Sequence, residues 1–432
     1  MSDREPANIA PHEATPDELR RSLGLFDAVV IGLGSMIGAG IFAALAPAAR
    51  AAGSGLLLGL AAAAVVAYCN ATSSARLAAR YPASGGTYVY GRERLGDFWG
   101  FLAGWGFVVG KTASCAAMAL TVGAYAWPSQ ARAVAIAAVV ALTAVNYAGV
   151  QKSAWLTRVI VAVVLAVLAA VAVTAFTSGV ASADRLSVAG ASAAGVLQAS
   201  GLLFFAFAGY ARIATLGEEV RDPARVIPRA IPLALGIALG VYGLVAVAAL
   251  TVLGPQRLGA ATAPFSEMAR VAGVPWMVPV VQVGASVAAL GSLLALILGV
   301  SRTTLAMARD GHLPRALAVV HPHFKVPHRA ELLIGVVVVA LAATTDVRGA
   351  IGFSSFGVLI YYAIANASAL TLRRDEGRMR PAIPALGVLG CVILALALPP
   401  SSVLSGVAVL GIGIGAYAVR RVIAVRRARS AR

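Results

Sequence analysis

The sequence predicts an all-α polytopic membrane protein of about twelve transmembrane helices, and three observations carry that prediction. The chain is 59% hydrophobic and only 12% charged, with a mean hydropathy of +0.85, far less polar than a soluble domain of 432 residues can be. Apolar runs of about 20 residues, the length that crosses a bilayer as a helix, recur along the whole chain. The basic residues fall in the short segments between those runs, so the net charge of +17 follows the positive-inside pattern rather than the footprint of a nucleic-acid binder.

An apolar window places the spans at 25–48, 53–75, 97–125, 131–148, 155–177, 193–217, 230–253, 275–305, 330–345, 350–372, 382–398 and 402–420. The segment before them, residues 1–23, is polar, ends in "DELRRSLG" and lacks the features of a signal peptide. It is expected to be a cytoplasmic tail. An even number of spans puts both termini on one side. With that side cytoplasmic, about 28 of the 35 basic residues face the cytoplasm and about six face outward. The first group includes "RRDEGRMR" (Arg373 to Arg380) and the basic tail 421–432. The Ala- and Arg-rich composition points to the inner (plasma) membrane of a GC-rich bacterium.

The first span contains "GSMIGAGIF", Gly34 to Phe42. Each glycine disfavours a helix interior by about 1 kcal/mol relative to Ala, and irregular backbone at membrane depth is tolerated only where it is buried in protein or lines a cavity. One reading is a helix that unwinds around Ile37–Gly40, so that the next half-helix offers free N–H groups and a positive dipole end to an anion. The other is a close packing face, Gly34-x-x-x-Gly38. The sixth span, "LLFFAFAGYARIATLGEEV", carries a second interruption at Gly209, which favours the first reading. Interrupted helices thus open two consecutive groups of five spans, 24–180 and 190–373, followed by two further helices at 381–420. Because five is odd, the second group enters the membrane inverted, the arrangement of secondary transporters that bind substrate between two broken helices.

Lys111 lies midway along the third span, roughly 20 Å from either Asp97 or Tyr125 along the helix axis, beyond easy snorkelling. A lysine at that depth costs about 2.5–3.5 kcal/mol on insertion scales. The sequence offers no carboxylate deep in another span as a partner, Asp27 being the nearest candidate. Three roles fit: carrier of a coupling proton or stand-in for a bound cation, an ammonium held permanently by helix-end carbonyls, or a direct contact to an acidic substrate.

The remaining polar groups say less. Glu218 and Glu219, with Arg221 and Asp222, fit a cytoplasmic gate or a solvated loop equally well. The histidines His312, His321, His323 and His328 lack the companions of a metal site. The three cysteines, Cys69, Cys115 and Cys391, match no redox or metal spacing and read as small buried hydrophobes. No P-loop is present and no intramembrane constellation suits catalysis, so neither an ATP-driven pump nor an enzyme is expected, and no cofactor.

Four motifs in order resemble the amino acid–polyamine–organocation (APC) transporters: "GLGSMIGAGIF", "RYPASGGTYVYGRERLG" (Arg80 to Gly96), "FFAFAGYARIATLGEEVRDPARVIPRAI" (Phe204 to Ile231) and "SRTTLAMARDGHLP" (Ser301 to Pro314). The resemblance runs from about residue 22 to 373. It implies a LeuT-like 5+5 inverted repeat, alternating access, and an amino acid or related amine as substrate, with protons the possible coupling ion. It further implies that backbone N–H groups of Gly38, Ala39 and Gly40 hold a substrate carboxylate, and that carbonyls near Ile37 and in Phe205, Ala206, Phe207 and Ala208, just before Gly209, hold the amino group. Phe205 becomes the aromatic lid, although Phe204, Phe205 and Phe207 also read as core. Two positions depart from the family. Tyr210, Ala211 and Arg212 stand where many relatives have an acidic residue, and Val164 stands where proton-coupled relatives often have a lysine. A fixed charge at Lys111 argues against cationic substrates, while the small Ala39, Ala206 and Ala208 leave room for a sizeable side chain. An exchanger or a non-transporting sensor on the same fold are the alternative functions.

Overall fold

The structure, a computed structural model, describes residues 23–81, 85–149, 154–214, 216, 219–377 and 379–430, and among them every extended element is a helix. The first span is broken into α1 (Leu25–Met36) and α2 (Gly40–Ala52), with Ile37, Gly38 and Ala39 between them non-helical. Then follow α3 (Leu56–Arg80), α4 (Thr87–Leu95), α5 (Asp97–Ala126), α6 (Ala131–Tyr147) and α7 (Ala154–Thr177). The second group opens with α8 (Ala193–Phe207), a 3-10 turn over Ala208–Tyr210, and the single-turn α9 (Ala211–Ala214). It continues with α10 (Pro223–Ala260), α11 (Pro264–Val271), α12 (Met277–Arg309), α13 (His328–Thr344) and α14 (Val347–Leu370), and α15 (Ala382–Ala397) and α16 (Pro400–Ser430) close the chain.

Among the described residues, nine segments are long and apolar enough to cross a membrane. One of them, Gly40–Arg80, is α2 and α3 joined through a 3-10 turn. The shorter α1, α13 and α15 lie at other expected spans. The protein is a polytopic all-α membrane protein.

Two helices were not expected. Helix α4 is polar and short, invisible to an apolar window. It is set off by Gly86 and Gly96, both at positive φ, and its Thr87 N–H is capped by the Tyr361 hydroxyl at 3.0 Å. Helix α11 is amphipathic, starting at Pro264, a residue suited to a first helical position. Helix α10 also begins seven residues before the expected span, at Pro223, because Arg225 and Arg229 are tolerated on a helix that extends past the apolar zone. It kinks at Gly254 (φ 69°), directly before Pro255.

Contacts at the two ends of the bundle preserve the alternation of spans. At the end where Leu23 enters, Leu23 pairs with Val220, Arg158 with Asp27, and the Tyr88 and Tyr417 hydroxyls donate to Asp310 (2.6 Å) and Asp97 (2.8 Å). At the far end Arg50 donates to the Gly259 carbonyl (2.9 Å) and Arg185 to Thr251 (2.7 Å). The packing pairs also obey a twofold exchange of the two five-span groups. Helix α1 packs on α10 as α8 packs on α3; α5 packs on α14 as α12 packs on α7; α5 packs on α13 as α12 packs on α6.

Of the five tryptophans, Trp99 and Trp155 are exposed near the Leu23 end, and Trp127 and Trp276 at the far end, the placement of an interfacial aromatic belt. Leu404, Val336 and Leu396 are similarly exposed on α16, α13 and α15, as side chains in lipid are. The interior is filled by large aromatics, among them Tyr90, Tyr125, Tyr210, Tyr242 and Tyr362.

Candidate functional site

The first break is built by the backbone. The Ile37 N–H closes α1 on the Leu33 carbonyl (2.7 Å), and the Ala39 carbonyl receives Ala43 as α2 begins. Among the described hydrogen bonds none takes up the N–H of Gly38, Ala39 or Gly40. The start of α2 therefore presents orphan donors at a buried helix end, with Ile37 2% and Ala39 0% exposed.

The second break is tightened rather than fully unwound. The Ala208 N–H bonds back to Phe204 and Phe205, and the carbonyls that face away are claimed by side chains. Tyr242 on α10 donates to Ala206 O (2.9 Å). Ala208 O accepts from the Lys111 ammonium on α5 (3.2 Å) and from the Tyr362 hydroxyl on α14 (3.4 Å).

The two breaks touch. A methyl on Gly40 would lie 2.8 Å from Ala206 Cα, one on Gly209 would run into the Ser35 carbonyl, and one on Gly38 into the Ser292 hydroxyl of α12. Thus Gly40 meets Ala206 and Ser35 meets Gly209 across the two breaks, Gly38 faces Ser292 of α12, and Lys111 reaches Ala208 from a third helix. Phe205 is buried on α8. Its neighbours Phe204 and Phe207 pack edge-on or tilted against Tyr362 and Tyr242, as core residues do.

Other expectations resolve differently. Asp27 is not a partner of Lys111, because it pairs with Arg158 of α7 at the Leu23 end. Among the described residues no ion pair reaches Lys111. Glu219 lies 3.8 Å from Arg212 of α9, the helix that follows the second break, and its carbonyl accepts the Leu23 N–H. Glu218 lies outside the described residues. A carboxylate that sequence reading passed over is Glu331, buried in the first turn of α13 beside Ser301 and Arg302 of α12 and away from Lys111. It was missed because it sits one turn inside the span, where a charge looks like part of the adjoining loop.

Sequence reading also missed the polar side chains that surround the second break. Asn366 on α14 donates to Asn70 on α3 (2.6 Å) and accepts from Ser73 (2.7 Å), while Tyr210 lies between Tyr362 and Asn70. Asparagines inside apolar runs were the available signal.

Two broken helices that press their interruptions together inside a membrane bundle, one offering amides and the other carbonyls, define a membrane transporter. The chain matches the amino acid permease family over residues 23–419 and belongs to it. It is 79% identical over 415 residues to an uncharacterized transporter of Mycobacterium tuberculosis, covering 96% of this chain and 94% of the relative. It is 26% identical to the branched-chain amino acid permease BcaP of Bacillus subtilis, over 88% of each chain. It is also 26% identical to the methylthioribose transporter of Bacillus subtilis, over 96% of each.

Proposed function

We propose that this protein is a secondary active transporter that carries an amino acid with an uncharged side chain across the bacterial plasma membrane by alternating access, coupled to protons. The observation that carries the reading is the pairing of free amides at Gly38–Gly40 with the carbonyls of the facing break. The amides suit the carboxylate of an amino acid. The carbonyls of Ile37 and Phe205–Ala208 suit its ammonium, with Phe205 as lid. The relatives' names divide on the side chain, branched-chain for BcaP and cationic for transporters 28–29% identical to this chain. An uncharged side chain is favoured by Lys111, whose charge at the break disfavours a second cation.

Lys111 is the coupling residue in this reading. It is the cation buried at the break, so its proton load sets the charge of the site. The titratable groups around it are Cys115 on its own helix and Tyr362 and Tyr210 beside Ala208. Glu219, whose carbonyl holds the Leu23 N–H, belongs to the gate at that end. Both termini face the cytoplasm, where the basic loops gather.

The test is uptake of a labelled amino acid panel, with methylthioribose as comparator, into proteoliposomes with and without an inward proton gradient. Accumulation of an amino acid that requires the gradient is expected. Flux only into preloaded vesicles makes the protein an exchanger, binding without flux makes it a sensor, and uptake of the comparator alone overturns the amino acid assignment.

A further inference from the structure

The Ala208 carbonyl is occupied. An amide oxygen accepts along two lone pairs, and in this arrangement Ala208 O, already part of the 3-10 turn Ala208–Tyr210, receives Lys111 Nζ and Tyr362 Oη at 3.2 and 3.4 Å. Yet this is one of the carbonyls that the proposed function assigns to the substrate's ammonium. A substrate ammonium cannot bond there until one protein donor leaves. Of the two, Lys111 is the chemical match, a primary ammonium on a flexible stem for a primary ammonium.

We infer that Lys111 is a tethered competitor of the substrate: its side-chain ammonium fills the amine subsite at Ala208 whenever substrate is absent, and the substrate's amino group displaces it. The inference rests on the amino acid reading above. Lys111 is 6% exposed, and this is the one hydrogen bond described for its three N–H donors, so it is held on the carbonyl weakly enough to be exchanged. An alternative berth lies on its own helix face. Ser114, three residues on, shares a 2.6 Å hydrogen bond with Ser354 of α14. The physical consequence is a carrier able to close empty, because the break's acceptor is satisfied in both the loaded and the unloaded state.

Competition makes a signed prediction. Apparent affinity is reduced by the fraction of time the carbonyl is free, so removing the competitor tightens binding. Lys111→Met is expected to bind the transported amino acid at least tenfold more tightly than the native protein at equal pH. Binding of the matching 2-hydroxy acid, which has no ammonium, is expected to stay within about twofold. Weaker binding of the amino acid overturns the inference and makes Lys111 a direct substrate contact. An equal change for both ligands overturns it as well.

A second measurement does not depend on that variant folding. The chain has three lysines, Lys111, Lys152 and Lys325, so a Lys152→Arg, Lys325→Arg protein labelled with 15N-lysine gives a single side-chain signal. Saturation with the amino acid is expected to shift the Lys111 Nζ resonance and the hydroxy acid to leave it in place; an unmoved resonance under saturating amino acid overturns the inference. If the native protein binds no amino acid of the panel, it is the proposed function that fails, before either comparison is reached.

Discussion

What a methyl group would meet separates the glycines of the breaks from those that merely sit in helices. At Gly209 it collides with the Ser35 carbonyl and at Gly40 with the backbone of Ala206, whereas at Gly240 on α10 nothing lies within 4 Å. Overpacking against backbone cannot be relieved by a rotamer change and costs about 1–3 kcal/mol. Gly209→Ala and Gly40→Ala are therefore expected to lower the melting temperature and to abolish transport, because they push apart the two helices that form the site. Gly240→Ala is expected to be neutral or stabilising by up to about 1 kcal/mol through helix propensity alone. Thermal unfolding in detergent, paired with flux in proteoliposomes, checks all three, and loss of function in Gly240→Ala would contradict the argument.

Between elements, an electrostatic junction of three elements gathers at Glu376, in the connection from α14 to α15. Its carboxylate accepts from the Arg373 N–H (2.9 Å) and pairs with Arg94 of α4 and Arg80 of α3. The Arg373 amide first, and then Arg94, pull its pKa down to about 2. A carboxyl whose pKa is lowered by folding contributes stability above its ordinary value, and the contribution is lost as pH falls through the lowered one. The melting difference between the native protein and Glu376→Gln is thus expected to be constant from pH 7 to about 5 and to shrink below pH 4.5. A difference that stays constant on acidification through pH 4.5 to about 2 would show the carboxyl to be unshifted. This junction illustrates what the sequence could not reveal. The spans and both breaks were legible, since apolar length and intramembrane glycine act within about 20 residues of chain. Helix α4 and the partner of Asp27 depend on residues more than a hundred positions apart, and the buried state of Glu331 on the packing of α13 beside α12, so no local pattern records them. Lys111 lies between these cases: its depth could be counted along the chain, but the carbonyl it reaches could not.

At the scale of the whole molecule, on the proposed alternating-access function, the contacts that join the helices at both ends of the bundle make this arrangement one intermediate of the cycle. Opening toward the Leu23 end must separate α1 from its neighbours there, and two connections oppose it: the Leu23–Val220 backbone bridge and the Asp27–Arg158 pair. The ion pair is partly exposed, at 17% for the Asp27 side chain and 47% for Arg158, so it is worth about 0–1 kcal/mol. Removing it shifts the population of the open state by up to about fivefold without unfolding the bundle. A cysteine at Ile31, half-buried on α1 between Asp27 and the break, reports that opening in a background where Cys69, Cys115 and Cys391 are replaced. On the proposed orientation a membrane-impermeant maleimide labels Ile31→Cys in inside-out vesicles and not in right-side-out ones, and Asp27→Asn raises the labelling rate several-fold. Labelling from the outer face alone reverses the orientation. An unchanged rate in Asp27→Asn leaves the backbone bridge as the closure of that end, and the twofold packing then predicts that the Arg348 bond to Gln198, which joins α14 to α8 at the far end as Arg158 joins α7 to α1, is the next contact whose removal changes access.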